Sequence, residues 1–181
     1  MSIDPALHCD VPLGLGDPQA RLRVHIGNQP ALPPFDLPDG VMPLLPGDID
    51  AINRACGNGW RKVFSVYAKL LYQLEPQQFP HQASAPTWQQ YRDQHLLQPG
   101  SDTALLYSLP DLNVEASQWQ IVMGRTYGKH CAERLGIALD WLDPDFAVNT
   151  RHRILVCPYF DYRQLSNIKI ERLAQWMMDL D

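Results

Sequence analysis

Three short stretches carry residues able to do chemistry, and each stands where an apolar run stops. Gly27-Asn28-Gln29-Pro30 follows the alternating run at 22–26. Side-chain amides donate and accept at once, so Asn28 and Gln29 suit the edge of a nucleobase or the positioning of a water. Gly27 permits close approach to the backbone. The same four residues also suffice for a plain strand-ending turn. Met123-Gly124-Arg125-Thr126 sets a glycine between a strand and a helix. There the first N–H groups of the helix can face an anion and Arg125 can add charge; alternatively Gly124 only makes the turn and Arg125 is solvated. The stretch is neither a GxGxxG nor a phosphate loop, so nothing points to a dinucleotide. Cys157-Pro158-Tyr159-Phe160 leads on to Arg163, Gln164, Ser166 and Asn167. Tyr159, Phe160 and Tyr162 can stack on a flat ligand while Arg163 holds a phosphate, or the aromatics close the core beneath the last helix.

Other chemistries find less support. His8-Cys9 and His130-Cys131 are adjacent pairs whose side chains diverge, so no metal site is expected. No cofactor is implied. The four cysteines are widely spaced and read as free thiols packed as small apolar groups. Ser65 and Ser166 lack the G-x-S-x-G elbow of a hydrolase. Cys157 with His152 or His25 would make a nucleophile only if its thiolate were stabilised, and no neighbouring residue type shows that. His25 falls on the polar face of its strand, where it either lines a pocket or is satisfied structurally. Asp161 and Glu171 read as a helix-start carboxylate and a surface charge.

The elements that must position these groups follow from periodicity. Leu22, Val24 and Ile26 alternate with Arg23 and His25, a strand with one apolar face. Helices are expected from Asp48, over Val63 to Leu74 with apolar residues on one face, after Thr87, from Arg125 to Gly136, and from about Ser166 to the end. Short buried strands are expected at 103–107, 119–124 and 153–158. Strands alternating with helices imply α/β architecture: a three-layer α/β/α sandwich around a short, mostly parallel sheet of about four strands. The 181 residues suit one domain, 1–181, and clustered prolines suggest an irregular N-terminal arm over 1–20. A net charge of −5 argues against long duplex nucleic acid, although basic residues gather in the last third. With no long apolar run and no secretory signal, the chain reads as cytoplasmic, without a membrane partner.

Taken in chain order, G-x-x-P after the first strand, a strand–glycine–helix at 121–125 and a proline-containing loop after the last strand resemble the uracil-DNA glycosylase superfamily. The resemblance spans roughly Leu22 to the C-terminus on sparse positions. It implies that Asn28 and Gln29 stand where the family places a catalytic Asp, Asn or Glu. Cys157-Pro158-Tyr159 stands in the place of a His-Pro-Ser type loop. The implied pocket has Asn28 positioning a water, with Gly27, Gln29, Gly124 and Arg125 on one side. Cys157, Tyr159, Phe160, Arg163 and Asn167 line the other. The implied ligand is a nucleobase, a nucleotide or a single-stranded nucleic-acid end. Three departures bear on catalysis. Cys157 replaces the histidine that stabilises the departing base, Tyr159 replaces the small serine, and an amide at 28 or 29 binds no proton near neutral pH. Asn28 can still orient a water, as Asn does in one branch of the family, and no cysteine cluster matches the iron–sulfur branches. Two readings stay open: a divergent glycosylase-fold protein that binds such a ligand with weak or no hydrolysis, and a non-catalytic interaction protein whose aromatics serve as core or as a partner surface.

Overall fold

The computed structural model describes residues 11–113 and 119–180. Its centre is built from the strands that the alternation marks. β2 (Leu22–His25), β4 (Thr103–Leu106), β5 (Trp119–Met123) and β8 (Ile154–Cys157) lie side by side in the order β4-β2-β5-β8. All three pairings among them are parallel, with Leu22 opposite both Thr103 and Trp119, and Ile121 opposite Leu155.

The sheet as a whole corrects the expectation of about four mostly parallel strands. Among the described residues it has eight strands of mixed direction, in the order β3-β1-β4-β2-β5-β8-β7-β6. β1 (Gly14–Gly16) runs antiparallel to β4 and parallel to β3 (Val41–Met42). β7 (Ala147–Asn149) runs antiparallel to β8, and β6 (Asp140–Trp141) antiparallel to β7. These edge strands are only two or three residues long, too short for a period-2 pattern to emerge. β1 also falls inside the segment expected to be an irregular arm; residues 1–10 of that segment lie outside the described residues.

Helices flank both faces. α1 (Asp48–Cys56), α2 (Asn58–Gln73), α3 (Trp88–Gln94) and α5 (Asn167–Asp179) belong to one face, and α4 (Arg125–Leu135) to the other. The pleat sends Val24, Ile121 and Leu155 toward α2 and α5, where they join Val63, Phe64, Tyr67, Leu70 and Leu173 in the main core. Tyr67, fully buried, donates toward the carbonyls of Leu22 at 3.2 Å and Ala104 at 2.9 Å, so the core ties into two neighbouring strands. On the opposite face Val122, Ile154 and Val156 meet Cys131 of α4. Gly128 lets α4 come this close: a Cβ there would lie 2.4 Å from Val156 Cγ1. No helix among the described residues is long and apolar enough to cross a membrane.

Candidate functional site

Because β2, β5 and β8 are parallel neighbours, the residues that follow them reach one edge of the sheet. Gly124 makes the sharp step from β5 into α4 with φ of 99°, a left-handed value that favours glycine. Its N–H donates to the Cys157 carbonyl at 2.8 Å, joining the ends of β5 and β8, and its carbonyl accepts the N–H of Gly128 at 2.8 Å to begin the helix. At the end of β2, Gly27 lies against the Tyr127 ring; a Cβ there would come 3.1 Å from Tyr127 Cδ2. The three strand ends thus frame one open groove of about 370 Å³, with Asn28, Arg125, Tyr159 and Gln164 on its walls.

A hydrogen bond crosses this groove. The Tyr159 hydroxyl donates to Asn28 Oδ1 at 3.2 Å, linking the loop after β2 to the loop after β8. The Asn28 amide nitrogen remains a donor, and Tyr159, half-buried, contributes an aromatic surface. Burial pushes the Tyr159 phenol up from its ordinary pKa, against the smaller lowering effect of the Asn28 bond, so it stays a neutral donor. Arg125 points its guanidinium at the Pro144 carbonyl, 2.8 Å away. α4 begins without a side-chain cap, so its first N–H groups open toward the groove where Thr126 and Tyr127 form the wall.

The sequence-derived residues therefore divide into two groups. Gly27, Asn28, Gly124, Arg125 and Tyr159 meet at the groove. Cys157 and Phe160 do not line it: both are fully buried in the main core, Phe160 edge-on to Tyr67. Burial pushes the Cys157 thiol far above its ordinary range, which leaves no thiolate for nucleophilic chemistry. Arg163 turns to Asp161, with its N–H groups 2.9–3.3 Å from the carboxylate oxygens. That guanidinium and Lys62 hold the Asp161 carboxyl well below the usual range. Asp161 is thus an interior tether of its loop. Gln29 and Asn167 are exposed and are not part of the groove wall. Met123 and Thr126, from the stretch read at the end of β5, and Gln164, from the run after β8, also join the wall, and Tyr127 is the wall residue outside those stretches; Tyr127 and Gln164 follow the ends of β5 and β8 by four and seven residues, a spacing that carries no motif.

The wall residues decide what chemistry is possible. Arg125 is the charged side chain among them, and neither a carboxylate nor an imidazole faces the groove from this wall. Amide, phenol and backbone donors can orient a ligand or a water, but they do not exchange protons near neutral pH. Elsewhere, among the described residues, no group of three or more His, Cys, Asp or Glu is placed to hold a metal ion. Cys56, Cys131 and Cys157 are free thiols, and His8 and Cys9 lie outside the described residues.

Comparison with known proteins gives one match. No curated protein and no solved structure matches the chain. A family described as a family of unknown function, DUF6942, matches residues 13–178, nearly the whole chain, with every strand and helix named above except the last residue of α5. The chain belongs to that family.

Proposed function

We propose that the groove at the ends of β2, β5 and β8 binds a nucleobase or the base of a nucleotide, in a protein that diverged from the uracil-DNA glycosylase superfamily and binds its ligand without acid–base hydrolysis. The observation that carries this reading is the Tyr159–Asn28 hydrogen bond across the groove. It orients an amide whose free donor matches a base carbonyl, beside an aromatic ring able to stack. The uncapped start of α4 supplies backbone donors for an attached phosphate. The same three strand ends carry the resemblance read from the sequence, and their meeting on one rim supports kinship. The residues at 157 and 28 support a reading without acid–base hydrolysis: a buried neutral thiol cannot stabilise a departing base, and an amide cannot act as a general base.

Equilibrium binding of uracil, uridine monophosphate, adenosine monophosphate and a short single-stranded oligonucleotide tests the reading. At least one pyrimidine or purine compound should bind the wild-type chain, and Asn28→Ala should weaken it at least about tenfold with an unchanged denaturation midpoint. No binding across the panel would remove the ligand site and leave the interaction-protein reading.

A further inference from the structure

The groove does not end at Arg125. The same side chain walls a second open depression, of about 430 Å³, together with Lys129, Trp141, Asp143 and Pro144. Arg125 is thus the boundary between the groove and a neighbouring shelf. One of its N–H groups donates to the Pro144 carbonyl at 2.8 Å, which holds the guanidinium there. The remaining donors of the fork stay available to a ligand.

Trp141 stands on the shelf at the edge of the sheet. Its strand β6 pairs with β7, where Trp141 opposes Ala147. Of the five tryptophans it alone is exposed, at 41%. Trp60 and Trp119 belong to the main core, and Trp88 and Trp176 pack against it. A single exposed apolar side chain is ordinary; the charge beside this one is what sets it apart. Lys129 Nζ lies 5.3 Å from the centre of the indole ring.

Arg125 and Lys129 stand four residues apart on α4 and so share one helix face. Neither forms an ion pair among the described residues. The one carboxylate of the shelf is already engaged. Asp143 Oδ1 accepts the N–H groups of Asp145 at 2.8 Å and Phe146 at 2.9 Å, and its Oδ2 accepts from Arg172 at 3.2 Å. The shelf therefore offers two uncompensated, solvent-facing cations and one aromatic surface, next to the Asn28–Tyr159 pair.

We propose, resting on the base-binding reading of the groove, that the ligand carries two bases joined through phosphate. The first base sits beside Asn28 and Tyr159, the phosphate meets Arg125 and Lys129, and the second base stacks on Trp141. A single nucleotide would fill the groove and leave Trp141 unused. When the second base stacks, the Lys129 ammonium exchanges its exposed contact with the ring for a charge-assisted bond to phosphate. Every base has a π-face, so the shelf adds affinity while the Asn28 amide adds selectivity. Two sources share this chemistry: the 3′–5′-linked end of a single strand, and a free molecule whose two nucleosides are bridged 5′–5′ by several phosphates.

The test titrates uridine monophosphate, adenosine monophosphate, the two 3′–5′-linked dinucleotides containing one of each base, and diadenosine tetraphosphate into the full chain. The readouts are calorimetry and the Trp141 indole N–H resonance. At least one two-base probe should bind about fivefold or more tighter than the better mononucleotide and should move the Trp141 resonance. Whichever linkage binds more tightly identifies the source. Trp141→Ala should bring that probe back to mononucleotide affinity and leave mononucleotide binding within about twofold. Lys129→Gln should weaken the two-base probe more than the mononucleotides. The comparison of ligands on the wild-type chain stands even if a variant folds poorly. If mononucleotides bind and neither linkage binds more tightly, or if the Trp141 resonance stays still, the two-base ligand is overturned and the base site survives. If no probe binds, both fall. Tighter binding that survives Asn28→Ala would also overturn the proposal, because the first base would not be in the groove.

Discussion

On one side of the sheet α2 and α5 press a continuous apolar layer onto β2, β5 and β8; on the other, α4 covers β5 and β8 and stops. The first side holds the largest buried residues, among them Tyr67, Phe64 and Phe160. The second holds two small clusters and, beyond the reach of α4, the buried imidazole of His25. The groove at the strand ends lies at the margin of α4 as well, where Gly124 and Tyr127 meet Asn28. The difference shows a division of labour: the α2/α5 side carries stability, and the versatile polar groups stand where packing is incomplete. Buried polar groups lower stability unless they are paired, so a fold can keep them only where another layer supplies the margin.

The comparison is broken most forcefully on the packed side. Tyr67→Ala removes a fully buried ring and two carbonyl contacts, and should lower stability by about 3–5 kcal/mol in urea denaturation. A loss below about 1 kcal/mol would mean that the α2/α5 side is not the stabilising layer. Next comes the acid response of the thinly covered side. The unfolded chain takes up a proton on His25 near pH 6.5, whereas the folded chain resists until about pH 4. Stability is therefore whole above pH 6.5 and falls by about 3 kcal/mol in total as pH drops to 4. His25→Gln should flatten that slope. Asp161 titrates in another window: its folded pKa is depressed, so its contribution is present above the ordinary carboxylate range and is lost below it.

A smaller effect is expected at the α4 contact. Gly128→Ala forces a methyl group toward Val156, and the clash outweighs the gain in helix propensity, leaving a net loss of about 1–2 kcal/mol. Adding Val156→Ala should restore part of it in a double-mutant cycle, because the two sites touch. The smallest effect on stability belongs to the groove. Tyr159→Phe removes one hydrogen bond to an exposed partner and should change the denaturation midpoint by less than about 0.5 kcal/mol, while still reducing affinity for the bound base. A large loss of stability would show that the Tyr159–Asn28 bond serves the fold and not a ligand.

Much of this division was legible in the residues. The alternation at 22–26 placed β2, and the apolar spacing from Val63 to Leu74 placed α2, because both are long enough for a period to show. The groove was legible through its glycines and its neighbouring polar side chains, since a parallel sheet brings its strand ends together. The edge strands were not: Val41–Met42 and Asp140–Trp141 are two residues each, and only tertiary pairing makes them strands. Nor was the fate of the last loop. Phe160 and Tyr159 are adjacent and both aromatic, yet Phe160 enters the core and Tyr159 faces the groove, a choice set by the direction of the chain after Pro158. Arg163 read as a phosphate ligand because its charge is visible in sequence, whereas its capture by Asp161 two residues earlier depends on the loop's shape.

The central claim is that Asn28 presents its amide to a ligand in the groove. Its side-chain NH₂ resonances, followed in the wild-type chain during titration with uridine monophosphate and adenosine monophosphate, report on it most directly. The account predicts saturable shifts of the Asn28 pair, together with the backbone amides of Arg125 and Thr126, for at least one of the two. Saturable binding that leaves the Asn28 resonances still, or no binding of either nucleotide, would contradict it.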